Sequence, residues 1–516
     1  MRFVRAVLYV LKLLCSRFPA MVELPAYKAE FVDFLLETGA LAVGPDRTLK
    51  SGRISPTFVN MGQFNSGAQL QRLGREYAQA IDEAGIWCEA VYGIPEKGVG
   101  LAPAVAMGFA DRGRGDVTYF FTRKVPKGYG EATGTREDAL KQVVGGLPEK
   151  QDGRPDVVLI DDVITDGATK YEAVEKLKEL YGDDGLNLNG LAIAVDRQEV
   201  SADDSSAAAT FTEKTKVPVV AIVTMSDIYQ HLRAKGFDPA ALDRVRAYLQ
   251  IYGTDTALET VGWPQPDGRI IDADRSIIIA CDVDDELKPP GAGPDWALEW
   301  FERLVGETGD VDGIGGYKVG QDIVLRYGGF RVMETARKHT NRKIIYDHQK
   351  GGTDIPEKAR GFAQALRDVG FDAGILFPQA GPESERAGIY WLRREGLGVL
   401  VGGRMTHQGF SVSEGGWITD EGGDRVYRIA ARAGVTNIVV PGNKEELILR
   451  AREIYQAAGI RPILWSPGFV KQGGVITKAA KAAGEYFHAI VGTAIVKSPN
   501  PRKAAIEMAN ALRCAA

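Results

Sequence analysis

The amino-acid sequence predicts an α/β chain built as a doubly wound parallel sheet followed by a (β/α)8 barrel. Three observations carry that expectation. The 516 residues exceed a single domain, since most domains run to about 100–200 residues and α/β barrels to about 250. Through the first half, short apolar runs alternate with stretches of helical period, the pattern of a parallel sheet covered by helices. After a stretch rich in Gly, Pro, Asp and Thr, eight further apolar runs recur, within about 240 residues, the size of a (β/α)8 barrel.

Composition narrows the chemistry. Lys+Arg 63 against Asp+Glu 68 leaves a formal net charge of −5, which argues against a nucleic-acid or anionic-lipid coat and makes any cluster of positive charge local. The 61 glycines, about 12% of the chain against an average near 7%, follow no collagen-like period and mark tight turns and close approaches of backbone to ligand. All five histidines (His231, His339, His348, His407, His488) lie beyond residue 230. The earlier part therefore holds no Ser-His-Asp triad, Cys-His dyad or His-ligated metal, and its chemistry falls to carboxylates, lysines, arginines and backbone amides. Cys15, Cys88, Cys281 and Cys514 form no CxxC pair, which fits a reducing, cytoplasmic location. Residues 1–21 place Arg2 and Arg5 ahead of an apolar run that Lys12 interrupts, with no small-residue cleavage site after it. They read as a dispensable leader, with Met21 as the working start.

In the first half, strands are expected at Ala90–Ile94, Val117–Thr122, Asp156–Ile160, Leu191–Val195 and Val217–Val223. The third leads into Asp161, Asp162, Val163, Ile164, Thr165, Asp166, Gly167, Ala168 and Thr169, then a helix with Tyr171, Val174, Leu177 and Leu180 on one face. Ligands of open α/β sheets bind beyond the carboxyl ends of strands. A Thr- and Gly-bearing turn at a helix N-terminus offers N–H groups and hydroxyls to a phosphate. Two adjacent carboxylates can accept hydrogen bonds from a sugar diol.

That nine-residue string resembles the phosphoribosyl-diphosphate (PRPP) motif of type I phosphoribosyltransferases. Four further blocks resemble the orotate phosphoribosyltransferase family: Leu49 to Pro56 with Phe58-Val59-Asn60, Glu96-Lys97-Gly98, Thr122 to Glu131, and Asp196-Arg197-Gln198-Glu199. The resemblance covers residues 22–255. It implies that Lys50, Lys97, Arg123, Lys124 and Lys127 surround the diphosphate, that Asp161 and Asp162 hold the ribose, and that Thr165 to Thr169 cradle the 5-phosphate. It also implies that Lys50, Phe58, Thr165 and Arg197 contact orotate. The same resemblance implies that Lys127 is the catalytic lysine on a lid that Gly128 and Gly130 would hinge, with Tyr129 where relatives commonly carry histidine. A leaving diphosphate needs concentrated positive charge and Mg²⁺ brought with PRPP, without a dedicated protein metal site.

Residues 256–270, with Gly262-Trp263-Pro264-Gln265-Pro266-Asp267-Gly268, read as a linker. Barrel strands are then expected at Ile277–Cys281, Gly313–Val319, Lys343–Tyr346, Gly374–Phe377, Gly398–Val401, Asn437–Val440, Pro462–Trp465 and His488–Val491. Barrel enzymes work at the carboxyl ends of their strands. Those ends carry Asp282, Lys318, Asp347 with Lys350 and Asp354, then Thr406, Pro441, Gln472-Gly473, and Gly492-Thr493.

Residues 271–516 resemble the orotidine 5′-phosphate decarboxylase family through Cys281-Asp282-Val283-Asp284, Tyr317-Lys318-Val319-Gly320, the strand-three cluster ending Asp354-Ile355-Pro356, Ser466-Pro467-Gly468 with Gln472-Gly473-Gly474, and Val491-Gly492. The resemblance implies that Asp282 and Lys318 bind ribose hydroxyls, that Lys318, Asp347, Lys350 and Asp354 form an alternating charge array, and that Lys350 protonates C6 of the pyrimidine. Thr406, Pro441, Gln472, Gly473, Gly492 and Thr493 are expected around the rest of orotidine phosphate. No cofactor is expected in this half. Two features depart from the family: residues added between Asp347 and Asp354, which Gly351-Gly352 can absorb, and Thr493 in place of a phosphate-binding arginine.

Together the halves resemble the bifunctional UMP synthase family. The expectation is a homodimeric enzyme of small-molecule substrates (orotate, PRPP, orotidine 5′-phosphate), with no nucleic-acid or membrane partner. Two alternatives stay open at this point: a barrel acting on another sugar phosphate, and a PRPP-binding regulator.

Overall fold

In the computed structural model the described residues are 24–49, 51–123, 142–147, 153–164, 167–201, 203–347, 354–469 and 475–514. The chain divides into two compact units between Trp263 and Pro264.

The first unit contains β1 (Leu41–Thr48), β2 (Ile54–Val59), β3 (Ala90–Gly93), β4 (Thr118–Thr122), β5 (Val143–Gly145), β6 (Asp156–Ile160), β7 (Asn187–Asp196) and β8 (Val219–Thr224). Six of them form one sheet in the order β5-β4-β3-β6-β7-β8, parallel except for β5 at the edge. Successive side chains of a strand point to opposite faces. One face, with Tyr92, Phe120, Leu159 and Ile193, packs on Val174 and Leu177 of helix Ala168–Tyr181 and on Phe211 of helix Ala207–Thr215. The other face is covered by helices Gly67–Glu83 and Gly98–Asp111. The sheet is thus doubly wound.

Those two helices cross very closely. A Cβ on Gly74 would fall 1.9 Å from the Ala104 carbonyl oxygen, and one on Gly108 would fall 2.2 Å from that of Gly74.

The antiparallel ribbon β1–β2 and the edge strand β5 go beyond the strands expected from sequence. The ribbon is interrupted by a register shift between Val43 and Arg47, and its outer half is exposed. It therefore lacks the apolar run by which the sheet strands announce themselves. The expected linker 256–270 also differs, because Asp255–Val261 is helical. Thr254 caps that helix by accepting from the Ala257 N–H, and Ala257, Leu258 and Val261 are buried. The first unit thus continues through residues whose Gly- and Pro-rich flanks suggested a connection.

In the second unit β9 (Arg275–Ala280), β10 (Ile314–Gly320), β11 (Lys343–Asp347), β12 (Ala373–Leu376), β13 (Gly398–Gly402), β14 (Asn437–Val439), β15 (Ile463–Ser466) and β16 (Phe487–Val491) close into a barrel of parallel strands, with β16 paired to β9. Ile278, Ile345, Ile375, Leu400, Val439, Trp465 and Ile490 fill its interior. At the amino ends of the strands the core turns polar. Ser276 Oγ lies 2.8 Å from His488 Nδ1, and Trp465 Nε1 donates to Asn437 Oδ1 at 3.1 Å. Burial pushes the His488 imidazole down to about 3. Ile271, just before β9, closes this floor.

Candidate active sites

In the first unit, β6 delivers Asp161 and Asp162 to the carboxyl edge of the sheet, both buried. Backbone pairing carries past the strand, since Asp161 N donates to Ala192 O and Ala194 N donates to Asp162 O. Asp161 Oδ1 accepts from Asp162 N at 2.9 Å, and its Oδ2 is 2.6 Å from Lys170 Nζ. Tyr77 OH donates to the Asp161 carbonyl at 2.7 Å. Burial pushes the Asp161 carboxyl upward, and Lys170 opposes the shift. Asp162 Oδ1 accepts from Val163 N at 2.8 Å, while its Oδ2 is paired with Lys97, an exposed side chain. Val163 is half-buried and Ile164 buried. Gly167 enters the following helix at φ +78°, a left-handed conformation that suits glycine, and Ala168 and Thr169 lie exposed in its first turn.

Arg123 follows β4 directly and is half-buried. Arg197 follows β7 and is 7% exposed. Its Nε and Nη2 donate to Glu199 Oε1 at 2.9 and 2.6 Å, and Nη2 also reaches Ser55 Oγ at 3.2 Å. Burial lowers the guanidinium's affinity for its proton, but Glu199 and Tyr248 outweigh that and raise it. The next residue, Gln198, has φ +51°, unusual for a non-glycine. The Asp196 carboxylate and the Ser226 and Thr254 amides hold it there. Arg197 therefore meets the Ser55 face of β2. Phe58, three residues along that strand, lies on the opposite face with the Arg47 guanidinium 5.1 Å from its ring centre. The structure brings Asp161, Asp162, Lys97 and Thr169 together, but does not put Phe58 on the face that Arg197 meets. Lys50, Lys124, Lys127, Thr165 and Asp166 lie outside the described residues.

In the barrel, Lys318 points inward from β10. Its Nζ is 3.2 Å from Asp282 Oδ1 and is paired with Asp347 Oδ2 at the end of β11. Lys318 is 5% exposed and Asp347 2%. Burial alone would lower the Lys318 ammonium, but Asp347 and Asp282 outweigh it and raise it. Asp354 is exposed, its Oδ1 accepting from Ile355 N at 2.8 Å, and it borders a groove of about 340 Å³ with Lys358, Phe362 and Ser384. Lys350, Gln472 and Gly473 lie outside the described residues.

Thr406 is half-buried, and its carbonyl accepts from Asn443 Nδ2 at 3.0 Å. Pro441 is buried after β14. Gly492 caps the short helix Thr493–Val496, with Thr493 at its first position. A separate cavity of about 170 Å³ beside the ends of β12 and β13, lined by Phe377, Gly402, Phe410 and Glu385, contains none of the expected residues.

Sequence reasoning missed four residues that shape these sites: Lys170, Tyr77, Glu199 and Arg404. Arg404 is buried and binds Ser411 Oγ at 3.0 Å, Asp420 Oδ1 at 2.9 Å and Asp424 Oδ1 at 2.8 Å, pinning the loop that carries Thr406. Glu199 belongs to the Asp196-Arg197-Gln198-Glu199 motif, but the resemblance assigns it no role. The other three carried no signal beyond residue type.

Comparison with known proteins assigns both units. Residues 275–508 match the family model described as Orotidine 5′-phosphate decarboxylase / HUMPS family. The orotate phosphoribosyltransferase of Pseudoalteromonas translucida is 36% identical over 227 residues, 44% of this chain and 98% of that protein. That of Vibrio atlanticus is 38% identical over 228 residues, again 44% of this chain and 99% of that protein. A solved orotidine 5′-monophosphate decarboxylase from Methanocaldococcus jannaschii, complexed with the inhibitor BMP, is 26% identical with a TM-score of 0.38, covering 46% of this chain and 98% of that one. The chain belongs to the orotate phosphoribosyltransferase family through its N-terminal region, and its C-terminal region is a barrel of the orotidine 5′-phosphate decarboxylase / HUMPS family.

Proposed function

We propose that this chain catalyses the last two steps of UMP synthesis. In the first unit, N1 of orotate bonds to C1 of PRPP and releases its proton to solvent as the C1–O bond to diphosphate breaks and the diphosphate leaves with that electron pair. In the barrel, the bond from C6 of orotidine 5′-phosphate to its carboxyl carbon breaks, CO₂ leaves, and C6 takes a proton to give UMP. The observation that carries the reading is Lys318, buried between Asp282 and Asp347 at the carboxyl ends of the first three barrel strands, in the same chain as the carboxylate pair Asp161–Asp162.

In the transfer, Lys97, Arg123, Lys124 and Lys127 neutralise the departing diphosphate, Lys50, Phe58 and Arg197 orient orotate, and the carboxylates at the end of β6 hold the ribose. The oxygen donors of Asp161 and Asp162 suit a hard cation, and Mg²⁺ arriving with PRPP would supply further positive charge to the leaving group. In the decarboxylation, Lys350 stabilises the developing carbanion and gives it a proton, and Asp347 lies against the substrate carboxylate. Asp282 and Lys318 hold the ribose, and Asp354 of the partner subunit completes the array in a homodimer. A fixed ammonium beside a charge that forms only in the transition state accelerates the step without a cofactor.

The test is a coupled assay with orotate, PRPP and Mg²⁺ that follows orotate loss and UMP appearance. Orotidine 5′-phosphate that accumulates without UMP would overturn the decarboxylase reading. Lys350→Ala should abolish UMP formation and leave orotidine 5′-phosphate formation intact.

A further inference from the structure

The two aspartates at the end of β6 rest on different lysines. Asp161 spends both carboxylate oxygens inside the chain, Oδ1 on the Asp162 amide at 2.9 Å and Oδ2 on Lys170 at 2.6 Å. Asp162 likewise has Oδ1 on the Val163 amide at 2.8 Å and Oδ2 on a lysine, but that lysine, Lys97, has a side chain 59% exposed where that of Lys170 is 8% exposed.

Lys170 is an expensive residue where it stands. It is 7% exposed, so its ammonium has left water. It also occupies the first turn of helix Ala168–Tyr181, where the backbone dipole disfavours positive charge. Packing alone would be served by an apolar side chain there. The ammonium does two things that an apolar side chain cannot. It fixes Asp161, and it donates to Thr169 Oγ1 at 3.3 Å. An ammonium only donates, so the Thr169 hydroxyl must accept that bond and aim its own hydrogen elsewhere. Thr169 is exposed on the turn, so its hydrogen is presented to whatever anion the turn receives.

We infer that Lys170 is a positioning residue of the PRPP site: it fixes the orientation in which Asp161 stands beside Asp162 for the ribose diol, and it turns the Thr169 hydroxyl into a donor for the 5-phosphate. This inference rests on the transferase reading above. It assigns Lys170 no contact with substrate.

Ribose 5-phosphate probes the sugar and its phosphate, and inorganic diphosphate probes the leaving-group side. In the full chain, Lys170→Met should weaken ribose 5-phosphate binding tenfold or more while diphosphate affinity stays within twofold. The KM for PRPP should rise more than kcat falls. Thr169→Val should weaken ribose 5-phosphate in the wild-type background and cost much less in Lys170→Met. Lys170→Arg, which keeps the donor-only charge, should recover part of the loss and gives a second background for the Thr169→Val comparison if Lys170→Met fails to fold. Equal weakening of both probes, or additive effects of Lys170→Met and Thr169→Val, would overturn the inference. A wild-type chain that turns over orotate, with ribose 5-phosphate affinity unchanged in Lys170→Met, overturns this inference alone. A wild-type chain that shows the predicted binding pattern but makes no orotidine 5′-phosphate overturns the activity and supports the positioning role.

Discussion

One carboxylate oxygen of Glu199 receives both the Nε of Arg197, at 2.9 Å, and its Nη2, at 2.6 Å. Arg197 is thereby held in one rotamer, and the same Nη2 also donates to Ser55 Oγ at 3.2 Å. Removing the partner of a buried charge costs more than the pair itself contributes. Glu199→Ala should raise the KM for orotate by roughly 10- to 100-fold, with the KM for PRPP within about twofold. Steady-state kinetics with each substrate varied in turn checks this. An equal rise in both KM values would show that Glu199 supports the fold and not the orotate contact.

Lys318 separates two carboxylates in the barrel mouth. Without its ammonium, Asp282 and Asp347 lose the cation held between them, and the ribose loses a donor. Lys318→Ala should lower UMP formation by about 10³-fold or more, the scale of a preorganised electrostatic contact. Orotidine 5′-phosphate should then accumulate in the coupled reaction, as product analysis by chromatography would show. Retained decarboxylation would place the chemistry elsewhere in the barrel.

Helices Gly67–Glu83 and Gly98–Asp111 approach so closely at Gly74 and Gly108 that no side chain fits between them. Gly108→Ala must push the two backbones apart, and overpacking of this kind costs about 1–3 kcal/mol. Orotidine 5′-phosphate formation should be lost at lower urea than in the wild type, and decarboxylation of supplied orotidine 5′-phosphate at the same urea as before. Coincident loss of both activities would mean that the two units unfold together.

His488 sets a pH dependence on the barrel. Its folded value, about 3, lies below the ordinary 6.5, so the unfolded chain binds the proton more readily. The stabilisation from keeping it neutral is fully present above pH 6.5 and is lost as pH falls toward about 3, at up to about 1.4 kcal/mol per pH unit. His488→Leu should flatten that part of the profile relative to the wild type, whatever it does to stability at neutral pH. Urea midpoints between pH 7 and 4.5 test it, and parallel slopes in the two proteins would rule it out.

The eight barrel strands were legible because each is an apolar run buried on both sides, such as Ile277-Ile278-Ile279, and the nearest turns are rich in glycine and charge. β1 was not, because Pro45, Asp46 and Arg47 give it no alternation. Among the site residues, Asp282, Lys318 and Asp347 could be read from strand ends, and the structure brings them together. Lys170 could not. A lysine three residues into an amphipathic helix looks solvated until the burial of its side chain against Asp161 is known.

The segment ahead of β9 is part of the barrel rather than a tether to it. Asp267 N donates to Gly434 O at 2.8 Å, Thr436 Oγ1 donates to Asp267 O at 3.1 Å, and Asn437 Nδ2 donates to Gly268 O at 3.3 Å. Ile271 then seals the interior below Trp465 and His488. Anyone splitting the gene to obtain the decarboxylase half alone should cut ahead of Pro264. A start at Arg275, where the family match begins, would strip the plug from the underside and let water reach an imidazole that depends on being dry.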